Sequence, residues 1–201
     1  MPRAKAAARA CAAGALATVA VLVWLMPRDE GVTIPLSIRV AAADSSTWEE
    51  QRRTFGDRLE RGYGLDEDVA DEFAGWILEA STRQRLQPEL IASLVMTEST
   101  FRKYARSSAG AVGPTQVQPE LWREFCGVDP RDPEQNVYCG AQILAHYRDA
   151  CSRHTATPEE AEACALRAYN VGYNNHDNRW FDQAAQRYVA KIDRNLDPIE
   201  A

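Results

Sequence analysis

Among the ionisable residues of this sequence, Glu98 has the placement best suited to chemistry. Pro88 stands at the first-turn position of a helical stretch, and Ile91, Leu94 and Val95 follow at the spacing of one helical stripe. Glu98 continues that stripe, seven residues beyond Ile91 and four beyond Leu94. A carboxylate so placed is aimed inward and lies near the C-terminal end of its helix, so burial and the helix dipole both oppose its charge and raise its pKa. A carboxylic acid still protonated near neutral pH can deliver the proton that a glycosidic oxygen needs as its bond breaks. Taken alone, a Glu at a helix end is more often solvated or salt-bridged. The residues that follow it carry the argument further.

A glycine-rich turn, Gly110 to Gly113, lets backbone come close to a ligand where side chains would block it, although a tight turn between helices explains it as well. Gln116 and Asn170 offer donors and acceptors suited to sugar hydroxyls and acetamido groups, though caps and turns are their commoner work. Tyr169 either stacks on a pyranose face or fills core, and Tyr188 either hydrogen-bonds Glu98 or lies in the buried face of a last helix. Trp76, Trp122 and Trp180 read as core or groove edge. His146, His154 and His176 fit no metal spacing such as His-x-x-x-His and receive no role, and no metal or cofactor is expected.

These residues fall in four ordered blocks. Glu98 and Ser99, then Ser107, Gly110, Ala111, Gly113, Gln116 and Pro119, resemble the lytic transglycosylase pattern of a Glu-Ser pair followed by Gly-Ala-x-Gly-Leu-Met-Gln. Asn136 and Gly140 are similar to that family's Asn-x-x-x-Gly helix start, Ala168 to Gly172 to its Ala-Tyr-Asn-x-Gly, and Tyr188, Val189, Lys191 and Ile192 to its Tyr-Val-x-Lys-Val. The resemblance, to lytic transglycosylases with an SLT-type catalytic domain in the lysozyme-like superfamily, covers about half the chain, from Ile91 to Ile192. It implies an all-α, lysozyme-like domain that cleaves the bond between N-acetylmuramic acid and N-acetylglucosamine in peptidoglycan glycan strands. Glu98 would act first as acid and then as base, closing an anhydro ring without water. Ser99, Ser107, Gln116, Tyr169, Asn170 and Tyr188 would bind substrate or orient the acid. Pro114 and Thr115 stand where the family has Leu-Met, which points to a reshaped apolar contact under the sugar. A muramidase using water and a second carboxylate such as Glu120 or Asp129, and an inactive wall-binding scaffold subunit of an envelope-spanning machine, are the competing readings.

The elements needed to position these groups are helical throughout. A charged helix is expected over Thr47 to Arg61, and a second after Asp66, Glu67 and Asp68 with Val69, Phe73, Trp76, Ile77 and Ala80 on one face. Further helices are expected from Pro88, from Pro119 to Gly127, from a capping Asn136 to Arg153, from Pro158 to Gly172, and from Trp180 to Leu196. No period of two recurs, so no sheet is expected. Cys126, Cys139, Cys151 and Cys164 are an even set in an exported domain, which suggests two disulfides. Cys139 and Cys151 on one helix would be roughly 18 Å apart, out of bonding reach. A hairpin turning near Thr155 to Thr157 then pairs Cys151 with Cys164, leaving Cys126 for Cys139.

Upstream, Met1 to Arg9 is basic, and Ala10 to Met26 carries no charge before Pro27. That run is near the lower limit of roughly 17 to 25 residues for a spanning helix and a little long for a secretory signal core. No small-x-small cleavage site follows it closely, so residues 1–27 read as a signal anchor, 28–64 as linker and charged lead-in, and 65–201 as the catalytic domain. The flanking basic residues would keep the N-terminus cytoplasmic, giving a single-pass inner-membrane protein with its domain in the periplasm; secretion after signal cleavage is the alternative. Cys11 reads as a small membrane residue. The chain carries 23 Lys and Arg against 29 Asp and Glu, and is more acidic still beyond Asp44. No basic run marks a nucleic-acid face. Besides the wall and the membrane, an anchored wall-cutting enzyme suggests a secretion, pilus or division complex as partner.

Overall fold

Proline at the first turn and a polar side chain just before it start most of the helices. The structure, a computed structural model, describes residues 46–200, and these form seven α-helices and no β-strand. They are α1 (Trp48–Tyr63), α2 (Glu67–Gln84), α3 (Pro88–Ser99), α4 (Pro119–Cys126), α5 (Pro133–Cys151), α6 (Pro158–Val171) and α7 (Asp182–Glu200), with a short 3-10 turn at Tyr173–Asn175. Thr47 opens α1 with a capping box to Glu50, and Thr157 caps α6 through Glu160 N. Pro88, Pro119, Pro133 and Pro158 stand where a helix has no partner for the missing N–H. The all-α expectation holds.

α3 sits at the centre. Leu90, Ile91, Ala92, Leu94 and Val95 are buried, as are Ser93, Thr97 and Ser99, so the helix is enclosed on nearly every side rather than along one stripe. Phe73 and Ile77 of α2, Leu59 of α1, Leu144 of α5 and Ile192 and Ile199 of α7 complete the same core. The polar groups inside it are paired, as burial demands. Ser93 Oγ donates to Ile192 O at 2.6 Å, and Asn195 Nδ2 donates to Thr97 Oγ1 at 2.8 Å. α1, assigned from sequence to the lead-in, packs on α2 and α7. Tyr63 Oη donates to Asn195 O, and Arg58 bonds Ile199 O and pairs with Glu89 at 2.8 Å.

Two helix starts differ from expectation. The long helix α5 begins a turn earlier than Asn136, because Asp132 is its cap, accepting from Gln135 N at 3.0 Å. α7 begins at Asp182 rather than Trp180. Asn178 turns the chain there, accepting from Trp180 N and Phe181 N, while Arg167 of α6 holds Asp182 at 2.7 Å; Trp180 is left 92% exposed.

The expected disulfides Cys126–Cys139 and Cys151–Cys164 are both present, with Cα separations of 5.3 and 6.0 Å. They fasten α5 to α4 near one end and to α6 at the other. Among the described residues no helix is long and apolar enough to cross a membrane; the anchor expected at 1–27, and Cys11 within it, lie outside the described residues.

Candidate active site

Glu98 lies in the last turn of α3, partly buried, and its carboxyl is held from one side by α7. Tyr188 Oη donates to Glu98 Oε1 at 2.5 Å. Three residues on, Lys191 Nζ donates to Thr97 O at 2.6 Å, placing a cation at the C-terminal end of α3. Tyr188, Lys191, Ile192 and Asn195 follow the i, i+3, i+4, i+7 rhythm of one helical face, and that face runs along α3. Burial raises the Glu98 pKa, and the Tyr188 bond and the Lys191 charge each oppose the rise without cancelling it. The acid is thus biased toward its protonated form. Tyr188 is itself raised well above the usual phenol value, by burial first and then by the Glu98 charge, so it stays a donor.

The segment between α3 and α4 is held in place by Asn136. Asn136 is 0% exposed; its Nδ2 donates to Val112 O and Pro130 O at 2.9 and 2.8 Å, and its Oδ1 accepts from Thr115 N and Thr115 Oγ1, both at 2.8 Å. Freed from capping, its side chain is a tie between a loop and a helix. Two glycines allow the close approach. Gly113 has φ +75°, and a Cβ there would sit 2.5 Å from the Asn136 amide; a Cβ on Gly140 would collide with the Thr115 side chain. The Thr115 side chain is 0% exposed and bonds Asn136 at the start of α5, so it belongs to the packing of this segment against the helix.

What Thr115 supplies to the site is its carbonyl, which accepts from Tyr169 Oη at 2.8 Å. Burial, with the nearby Glu98 charge next, raises the Tyr169 pKa, so this hydroxyl is also fixed as a donor. Tyr169 lines a cleft of about 310 Å³ together with Gln116, Trp122, Tyr147 and Asn170. Aromatic walls with a few amides suit a sugar ring and its substituents. Glu98 is not itself in that lining. Tyr169 connects the two, since it feels the Glu98 charge and forms a cleft wall.

The candidates from sequence therefore separate into three groups. Glu98 and Tyr188 are in contact, and Gln116, Tyr169 and Asn170 share the cleft. Gln116, with φ +53°, ties its amide to Gly113 O at 3.0 Å. Ser99 is 1% exposed, and its hydroxyl donates to Val95 O within α3, which leaves it behind the carboxyl rather than at a substrate surface. Ser107 is exposed and closes the glycine turn, its Oγ accepting from Ala111 N at 3.0 Å. Trp122, read from sequence as core or groove edge, lines the cleft, and Lys191, quoted there only within its block, was given no role of its own. The helical rhythm from Tyr188 was the available signal for Lys191.

With this geometry in view, the profile of the transglycosylase SLT domain family matches residues 75–192, from the second half of α2 into α7. The chain belongs to this family. The chain is 30% identical over 117 residues to a transglycosylase of Enterobacteria phage PRD1, covering 58% of this chain and 40% of the relative. It is also 30% identical over 133 residues to a membrane-bound lytic murein transglycosylase C of Glaesserella parasuis serovar 5 (strain SH0165), covering 61% of this chain and 36% of the relative. A membrane-bound lytic murein transglycosylase F 2 of Alkalilimnicola ehrlichii (strain ATCC BAA-1101 / DSM 17681 / MLHE-1) matches at 33% over 95 residues, 47% of this chain and 21% of its own. The SLT-domain chain thus spans two fifths or less of the length of these relatives.

Proposed function

We propose that the protein is a peptidoglycan lytic transglycosylase in which Glu98 serves as both acid and base. The observation that supports this best is the single, partly buried carboxyl of Glu98, held by Tyr188. Its proton passes to the oxygen leaving C1 of N-acetylmuramic acid as that bond breaks; the sugar's own 6-hydroxyl then bonds to C1 and returns a proton to the carboxylate. No water enters, and the acid is regenerated. A hydrolase of the usual two-carboxylate design needs a partner acid across the bond. Glu120 and Asp129 are both exposed and paired with Arg131, and the charge that bears on Glu98 from nearby is Lys191. Weighing the products released from sacculi tests the reading. Anhydro-ended muropeptides are expected, and reducing ends one water heavier would make the protein a muramidase.

The alkaline limb of the activity profile provides a second test. Tyr188→Phe and Lys191→Met each remove an interaction that favours the Glu98 carboxylate, so each is expected to move that limb to higher pH. A limb unmoved in both variants would mean that another group sets it.

Two of the three relatives named above carry the words membrane-bound in their names. With the apolar run of residues 10–26, this supports an inner-membrane anchor that holds the domain against the wall from the periplasmic side. Tethering would confine cutting to the neighbourhood of an envelope assembly such as a secretion, pilus or division complex. An inactive scaffold would need none of the acid's supports.

A further inference from the structure

Away from the cleft, where α5 turns into α6, two histidines flank the second disulfide. The sulfurs of Cys151 and Cys164 and one ring nitrogen each of His154 and His176 all lie within 4.8 Å of one another. His154 Nε2 is 4.0 Å from Cys164 Sγ. His176 follows the 3-10 turn after α6, is 9% exposed, and its Nδ1 contacts Tyr173 O. That contact places the ring proton on Nδ1 and a lone pair on Nε2, the arrangement in which a backbone carbonyl orients a metal-bound imidazole. Nε2 is buried and has no hydrogen-bond partner. Asp177 Oδ2 is 3.2 Å from it but pairs with it only if the ring is protonated.

We infer that Cys151, His154, Cys164 and His176 form a tetrahedral zinc site when the Cys151–Cys164 bond is reduced. Two thiolates and two neutral imidazoles are a common structural zinc set, with roughly 2.3 Å to sulfur and 2.0–2.1 Å to nitrogen. Those lengths put donors roughly 3.3–3.8 Å apart in a tetrahedron; the four atoms lie within 4.8 Å of one another, and the sulfurs part on reduction. The charges balance: one dication meets two thiolates, so the partly buried site stays neutral. The chemistry balances too. No external reductant is required, because both cysteines leave the ribosome as thiols; before they are oxidised they release two protons to solvent as zinc binds. The hairpin that carries Tyr169 and Asn170 would then be clamped in either redox state, by metal or by sulfur.

The test uses the full chain, reduced with a phosphine, desalted without air and titrated with Zn²⁺ against a chromophoric chelator. One equivalent is expected for the reduced protein and none for the oxidised one, with Co²⁺ giving the strong visible absorption of a tetrahedral sulfur-nitrogen site. His154 is exposed, so His154→Ala should leave the fold intact while weakening zinc binding by more than about tenfold, as removing even an outer ligand does. Three results would overturn the inference. They are no uptake by the reduced chain, uptake unchanged in both His154→Ala and His176→Ala, which would assign the metal to Cys126, Cys139 or Cys11, and loss of helical circular dichroism on reduction that zinc does not restore.

Discussion

Glu98→Gln is expected to cut the release of anhydro-muropeptides by about 10³-fold or more while making the protein more resistant to heat at neutral pH. The activity loss follows because glutamine can neither give nor receive the proton. The gain in stability follows from linkage. Burial raises the carboxyl's pKa in the folded chain above its unfolded value, so the folded state binds the proton more tightly. The stability tied to that proton is complete below the unfolded pKa and is lost as the pH climbs through the raised folded one. Glutamine has the shape of the protonated acid and suffers no such loss. Melting curves of parent and variant should coincide in acid and separate as the pH rises, the variant melting higher by about 2–4 °C for each kcal/mol of burial penalty relieved. Full activity in the variant would remove Glu98 from the mechanism. A variant that melts lower at neutral pH would refute the burial argument instead.

The largest loss of stability is expected from Asn136→Ala. The substitution leaves Thr115 N, Val112 O and Pro130 O without their buried partner. Each such orphan costs about 1–3 kcal/mol, which puts the total at about 3 kcal/mol or more and the fall in melting temperature at roughly 10 °C. Activity should fall with it even below the melting transition, since the freed loop carries Gln116 and the carbonyl that holds Tyr169. Asn136→Asp keeps an acceptor for Thr115 but loses both donated bonds, and should come close to the alanine variant. Melting within about 2 °C of the parent would show that water takes over the tie.

The contrast between Glu98 and Asn136 shows what the sequence made legible. The placement of Glu98 was legible because its signals are local: a proline start, apolar spacing, and a position near a helix end; its expected role came from the resemblance carried by the blocks that follow. The helices and disulfides were legible on the same grounds. Asn136 was read as a cap because Asn in a first turn usually is one. Its actual partners lie 6 to 24 residues back in a loop with no periodicity, and no local pattern announces them. Ser99 was drawn to the substrate by its neighbour's chemistry, although a serine that bonds the carbonyl four residues back stays inside its helix. His154 and His176 gave no spacing signal because a helical turn and the 3-10 segment, not a short motif, bring them to the same disulfide.

The pairing of α3 with α7 also bears on when this site is completed as the chain is made. Glu98 meets Tyr188 across 90 residues, and the other ties between the two helices span 94 to 99. During synthesis, therefore, the acid emerges from the ribosome well before the helix that cradles it. A nascent chain that has not yet released residues 188–195 lacks every one of these ties, so the proposed acid gains its setting only when translation has passed that point.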